Sequence, residues 1–95
     1  MTRKRTDDNQ TAIVQALRDA GASVQSLASI GKGCPDLLVA RNGRLYLMEI
    51  KTDRGRPTKD QGAWMDEWHG TVYIVRSVEQ ALAVIGITAG ANTKG

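Results

Sequence analysis

Apolar and polar residues in this chain alternate in two rhythms, one of about 3.6 residues and one of 2, and the switches between them predict its elements. In "TDDNQTAIVQALRDAGA" Ile13, Val14, Leu17 and Ala20 recur at helical spacing behind a run of acids, and Gly21 follows as a stop, which predicts a first helix from about Asp7 to Ala20. "SVQSLASI", Ser23 to Ile30, alternates as a half-buried strand does. "DLLVAR" and "RLYLMEIKT" are strands joined by Asn42-Gly43, a strong signal for a two-residue hairpin turn. The basic stretch "DRGRPTKD", punctuated by Gly and Pro, reads as a loop from which Thr58 caps a helix running to about Trp68. "TVYIVR", Thr71 to Arg76, reads as a buried strand, and "SVEQALAVIG" as a last helix capped by Ser77. The order α-β-β-β-α-β-α predicts an α/β domain with a mixed central sheet flanked by helices. With 95 residues, one domain is expected over residues 7–86, between a basic tail at 1–6 and a loosely ordered tail at 87–95.

The hairpin turn carries a sharper expectation. If Asn42 and Gly43 are the loop, Arg41 faces Arg44, Leu38 pairs with Leu47 and Ala40 with Leu45 on one face, and Leu37 with Met48 and Val39 with Tyr46 make the other. Both faces are apolar, which predicts a central hairpin covered on each side. Asp36 then falls opposite Glu49. Opposed side chains in a sheet have Cβ atoms about 4.5–5.5 Å apart, where like charges repel. The alternation also puts Lys51 on the Glu49 face, about 6.6 Å further along, while Ile50 points away. Two carboxylates in this position call for a cation.

Composition narrows the chemistry. At 41% hydrophobic and 24% charged the chain is an ordinary globular one. No apolar run approaches the ~18 residues of a membrane span, and "MTRKRTDDNQ" has no apolar signal segment, so a cytoplasmic protein without membrane association is expected. The single cysteine, Cys34, can form neither an internal disulfide nor a Cys-rich zinc site. Any metal is therefore held mainly by oxygen. The net charge of +3 and pI of 9.4 lean only weakly toward a polyanionic partner, because three basic residues are packed into "RKR" at positions 3–5. Paired carboxylates suit a hard divalent ion such as Mg²⁺, which polarises a phosphodiester, while a neighbouring lysine orients or deprotonates the attacking water or stabilises phosphate charge. Hydrolysis of a nucleic-acid backbone uses this set best.

Pro35-Asp36 on one strand and Glu49-Ile50-Lys51 on the next resemble the signature of the PD-(D/E)XK nuclease superfamily. More closely, "GKGCPDLLV", "LYLMEIKT" and "TKDQ" resemble the VRR-NUC group, small phage and bacterial proteins that also occur as the nuclease module of a eukaryotic crosslink-repair enzyme. The resemblance covers about Asp7 to Ile85. It implies a restriction-endonuclease-like core, Mg²⁺ or Mn²⁺ bound by Asp36, Glu49 and the Ile50 carbonyl, and catalytic roles for Lys51 and Gln61. The group usually carries a first-helix glutamate, where this chain has Asn9 and Gln10. Small stand-alone members resemble Holliday-junction resolvases and act as homodimers on branched DNA, whereas the eukaryotic module is a flap nuclease. A non-catalytic DNA-binding module on the same fold is the competing class. The motif gains its specificity from position, since an E-x-K tripeptide alone occurs by chance in roughly one chain in four of this length.

Several residues have two readings. Gln61 closes the pattern T-x-x-Q with Thr58, a capping box, and is also the active-site match. Gln10 either looks into the site or flanks the core. Trp64 and Trp68, four apart on one helix, suit core or subunit contacts better than base stacking, and the last helix with Leu82, Val84 and Ile85 is a second candidate subunit surface. His69 has no partner at metal-ligand spacing, and Cys34 has no evident His or Asn partner for nucleophilic chemistry. Lys32, Arg54, Arg56 and Lys59 lie on either side of the acidic pair in sequence, where they would contact DNA phosphates without reading sequence, or simply be solvated.

Overall fold

The structure, a computed structural model, describes residues 4–52 and 54–87. Its elements are α1 (Lys4–Asp19), β1 (Ser23–Ser26), β2 (Leu37–Arg41), β3 (Arg44–Ile50), α2 (Lys59–Glu67), β4 (Val72–Val75) and α3 (Val78–Val84). They follow the predicted α-β-β-β-α-β-α order. The sheet is four-stranded in the order β1-β2-β3-β4, with β1, β2 and β3 antiparallel and β4 parallel to β3. The hairpin is thus central and the sheet mixed. Asn42 and Gly43 both take positive φ, 53° and 79°, as a turn matched to strand twist requires, and the register is the one the turn implies, Leu37 against Met48 through to Arg41 against Arg44.

Three boundaries differ from the sequence expectation. α1 begins at Lys4, inside the stretch expected to be a basic tail, because lysine and arginine favour a helix nearly as well as alanine does. β1 stops at Ser26: the Ala28 N–H donates to Ser26 Oγ and Ile30 N–H to the Leu27 carbonyl, so serine turn chemistry ends the strand early. Ile87, expected in the C-terminal tail, packs against the core; residues 1–3 and 88–95 lie outside the described residues.

α1 and α3 pack together on one face of the sheet, where Ile13, Leu17, Leu37, Val39, Met48, Ile50, Val75, Ala81 and Ile85 form the buried core. The last helix is consequently spent inside the subunit: Ile85 is buried, and Leu82 and Val84 pack against the core. At the turn end of the hairpin Arg41 ties both helices down, donating to the Ala20 and Ile85 carbonyls at 3.4 and 3.0 Å, a cation where helix C-termini favour one. The opposite face is not covered as expected. Leu38, Leu47, Val72 and Ile74 are only half-buried there, and Leu45 is 69% exposed, because α2 buries no residue of its own and reaches this face near the Glu49 end. No helix among the described residues is long and apolar enough to cross a membrane.

The loop before β2 meets α2 through Gly33. Its φ is +87°, and a Cβ there would collide with the Asp60 carbonyl oxygen, so the loop backbone lies directly against the first turn of the helix. Gly31 has a similar φ of +68° but open space around it. Left-handed strain alone costs Gly31→Ala about 1–2 kcal/mol. Gly33→Ala is expected to lose a further ~1–3 kcal/mol through forced displacement. Urea unfolding followed by tryptophan fluorescence ranks the two, and equal losses would show that the close approach contributes nothing.

Candidate active site

At the end of the hairpin away from its turn, the strands stop pairing regularly and side chains take over the backbone bonds. Asp36 lies one residue before β2; its carbonyl accepts the Leu27 N–H at 2.8 Å, which fixes its backbone, and its Oδ2 accepts the Ile50 N–H at 2.8 Å. Pro35, just before it, is fully buried and supplies no N–H of its own. Glu49 pairs with Ile74 of β4 and is only 3% exposed. Lys51 follows β3, its N–H held by the Val75 carbonyl at 3.0 Å. Its Nζ lies 3.3 Å from Glu49 Oε2.

Gln61 joins these groups. It receives a hydrogen bond from Lys51 Nζ at Oε1, 2.6 Å, and donates from Nε2 to Glu49 Oε2 at 2.7 Å. The same Oε1 accepts the Thr58 N–H at 2.9 Å, while Thr58 Oγ1 accepts the Gln61 N–H, completing a capping box. The two readings of T-x-x-Q are therefore one arrangement. The cap that starts α2 also fixes the amide between Lys51 and Glu49.

Electrostatics here are dominated by burial. Loss of water pushes the Glu49 carboxyl above its ordinary range and the Asp36 charge pushes it further, against the pull of Lys51 and the bonds from Lys51 and Gln61. Burial likewise raises Asp36, with the Ile50 N–H and Lys51 opposing. Desolvation and then the two carboxylates raise the Cys34 thiol, which makes it a poorer nucleophile and places it beside the pair.

The other sequence candidates are distributed around this centre. Asn9 and Gln10 are half-buried on α1, and no hydrogen bond among the described residues joins them to the carboxylates. Exposed Lys32 borders a hollow with Asp60 and Trp64. Exposed Arg54 and Arg56 line a second hollow, and Lys59 is the exposed first residue of α2. Trp64 and Trp68 stack with centroids 4.7 Å apart, and Trp68 remains 45% exposed; His69 is exposed. Sequence reasoning missed Arg76, whose Nη1 donates at 2.7 Å to both the Thr52 and Gly55 carbonyls. The alternation of β4 puts it on the Glu49 side, but its partners are backbone oxygens that no side-chain pattern marks.

The donor chemistry suits a hard cation. Among the described residues no group of three or more His, Cys, Asp or Glu gathers, so protein carboxylate ligation rests on this pair. Asp36 and Glu49 each commit one oxygen to protein donors, and Oδ1 and Oε1 have no donor among the described residues. Two carboxylates forced together, with one free oxygen each, fit Mg²⁺ or Mn²⁺, which takes few protein ligands and completes its shell with water and phosphate.

No protein-family model matches this sequence, and no curated protein matches it. Among solved structures, a chain described as "VRR_NUC domain" is similar, with a TM-score of 0.69 and 24% sequence identity, over 84% of this chain and 92% of that one. The fold is therefore shared with that domain over nearly its whole length, and the restriction-endonuclease-like core expected from the sequence is present.

Because both carboxyls titrate above their unfolded values, ionising them opposes folding. Stability of the metal-free protein should accordingly fall as pH rises through these raised values, and Mg²⁺ should restore it at pH 8 but not at pH 4. Asp36→Asn keeps an acceptor for the Ile50 N–H and removes the repulsion, whereas Asp36→Ala would orphan that donor. In EDTA at pH 8 the Asn variant is expected to melt higher, a relief of about 1 kcal/mol corresponding to ~4–8 °C. A lower melting temperature than wild type would contradict repulsion between the pair.

Proposed function

We propose that this protein is a VRR-NUC-type, Mg²⁺- or Mn²⁺-dependent endodeoxyribonuclease that acts on branched DNA as a homodimer. The observation that carries the reading is the set Asp36, Glu49, Lys51 and Gln61 at one end of the central hairpin, in which one amide joins the lysine to the buried Glu49 and the Ile50 N–H holds Asp36. The shared fold with a VRR_NUC domain supports it. A purely DNA-binding module has no use for two mutually repelling carboxylates, one buried and one half-buried.

Asp36 and Glu49 would hold the cation through their uncommitted oxygens, and the Ile50 carbonyl lies toward the same side as its N–H, which points at Asp36. A divalent ion bound there supplies polarisation of the phosphodiester and offsets developing negative charge. Lys51 supplies the positive group: its Nζ, kept near Glu49, would orient the attacking water or donate to a phosphate oxygen. Gln61 keeps Lys51 and Glu49 in register by bonding one with each end of its amide. Ile50, buried on the helix-covered face, anchors the backbone between the two charged residues.

One chain offers one such site, so symmetric cleavage of two strands calls for a C₂ dimer. The half-covered sheet face with Leu45, together with Trp64 of α2 and Trp68, which caps that helix and stacks on Trp64, supplies apolar surface of the kind a subunit contact buries. Lys32, Arg54, Arg56 and Lys59 would contribute phosphate contacts, giving salt-sensitive affinity without sequence readout.

The test combines solution mass with cleavage of labelled four-way junction, flap, single-stranded and duplex DNA in Mg²⁺ or Mn²⁺. A dimer making paired symmetric nicks on the junction is expected, with Lys51→Ala and Glu49→Gln slower by about 10²–10⁴-fold. A monomer cutting only near flaps would replace the resolvase reading by a flap nuclease. If wild type and Asp36→Asn bind every substrate and are equally inert, the protein is not a nuclease.

A further inference from the structure

Soon after Lys51 the Thr52 and Gly55 carbonyls are both held by the side chain of Arg76. The Gly55 N–H donates to the Thr52 carbonyl at 3.1 Å, which closes the turn, and a Cβ on Gly55 would lie 3.3 Å from the Thr52 nitrogen and 3.5 Å from Lys51 Cβ. The turn therefore folds back onto Lys51. Arg76 Nη1 donates to the Thr52 and Gly55 carbonyls, 2.7 Å each, so both ends of the turn hang on one guanidinium nitrogen. Arg76 is itself fixed, since its N–H donates to Gln80 Oε1 at 2.7 Å, and the preceding carbonyl, of Val75, holds the Lys51 N–H. Two consecutive residues at the end of β4 thus grip Lys51 and the turn beyond it.

Beside this turn lies an open hollow of about 640 Å³ lined by Arg54, Gly55, Arg56, Pro57 and Arg76. Three guanidiniums share its wall. Planar, permanently charged forks with paired N–H donors match phosphate oxygens better than any other side chain does. Gly55, on the wall of this hollow, is also close to Lys51, so a strand with its reacting phosphate at Lys51 would have its neighbouring phosphate within reach of the hollow.

We propose that Arg76 is the positioning residue of this turn, and that the hollow it shapes with Arg54 and Arg56 seats a backbone phosphate of the bound strand, adjacent to the one cleaved. The inference rests on the nuclease reading and deepens it, by assigning where the strand leaves the carboxylate pair. Arg76 acts through the geometry of the turn, so its charge alone is not sufficient.

Binding of a fluorescent four-way junction in Ca²⁺, measured by anisotropy over a series of salt concentrations, tests this, with exchange of the Gly55 amide as a readout free of nucleic acid. Arg54→Ala with Arg56→Ala, both exposed in the wild type, should reduce the slope of log K against log salt by about 2. Arg76→Ala should unprotect the Gly55 amide, weaken binding by about tenfold, and shrink the effect of the Arg54/Arg56 pair in its background, the non-additivity expected of coupled groups. Arg76→Lys should keep the charge without rescuing the amide or the coupling. The proposal is overturned if Arg76→Ala binds with wild-type affinity and slope, if the Arg54/Arg56 loss is the same in both backgrounds, or if lysine restores everything. In each of those cases a wild type that still cleaves DNA leaves the nuclease reading standing; a wild type that neither binds nor cleaves any substrate removes both.

Discussion

Burial of Glu49 next to Asp36 is the constraint around which this small domain is arranged. A carboxylate that is 3% exposed loses most of its hydration, and a second acid across the hairpin raises the cost. What offsets it is a short list of directed contacts: Lys51 Nζ and Gln61 Nε2 on Glu49 Oε2, and the Ile50 N–H on Asp36 Oδ2. Each comes from a different backbone constraint, and each leaves one oxygen of its acid uncommitted. The charges are held, but not neutralised. In the proposed nuclease that incomplete compensation would make the pair receptive to a cation, because a fully satisfied pair would gain little from one.

The same economy explains how α2 is attached. It buries no residue, and it adds none to the hydrophobic core, which lies on the other face of the sheet under α1 and α3. Two polar devices fasten it. Gly33 lets the loop before Asp36 lie against the Asp60 carbonyl, and Gln61 spends one side chain on both the helix cap and the Lys51–Glu49 bridge. Folding of the helix start and assembly of the site are therefore one event. Loss of the cap would loosen the amide that bonds both lysine and glutamate, and loss of the site contacts would leave the helix with little to dock on.

How much of this was legible in the sequence follows from the range of each interaction. The Asn42-Gly43 turn fixes a register, and a register fixes every face, so the meeting of Asp36, Glu49 and Lys51 could be deduced from local chemistry alone. The overall order of elements was legible for the same reason. What was not legible depends on coverage and on backbone partners. Leu45 reads as a core residue by alternation and is exposed, because no helix reaches it. Leu82, Val84 and Ile85 read as surplus apolar surface and are taken up by the core. Arg76 reads as the polar end of a strand, yet it binds two carbonyls contributed by residues more than twenty positions away. Asn9 and Gln10 stand where the resemblance implies an acid, and they make no hydrogen bond to the pair that would give them a role.

The charge distribution acquires meaning only at this scale. A net charge of +3 is too small to argue for a nucleic-acid partner. Locally, however, Lys51 Nζ lies beside Glu49 of the acidic pair, while Arg54, Arg56 and Arg76 line an open hollow. The Lys51 side chain is turned toward the acids, and its backbone is fixed by the strand that carries Arg76. An anionic strand approaching this edge meets attraction from the guanidiniums and repulsion from the acids, and only a cation between the acids converts the second into attraction. In the proposed nuclease, affinity and reaction are thereby divided between two adjacent sites, so that DNA can be held by the arginines whether or not the metal is bound, but can be brought to Lys51 only when it is.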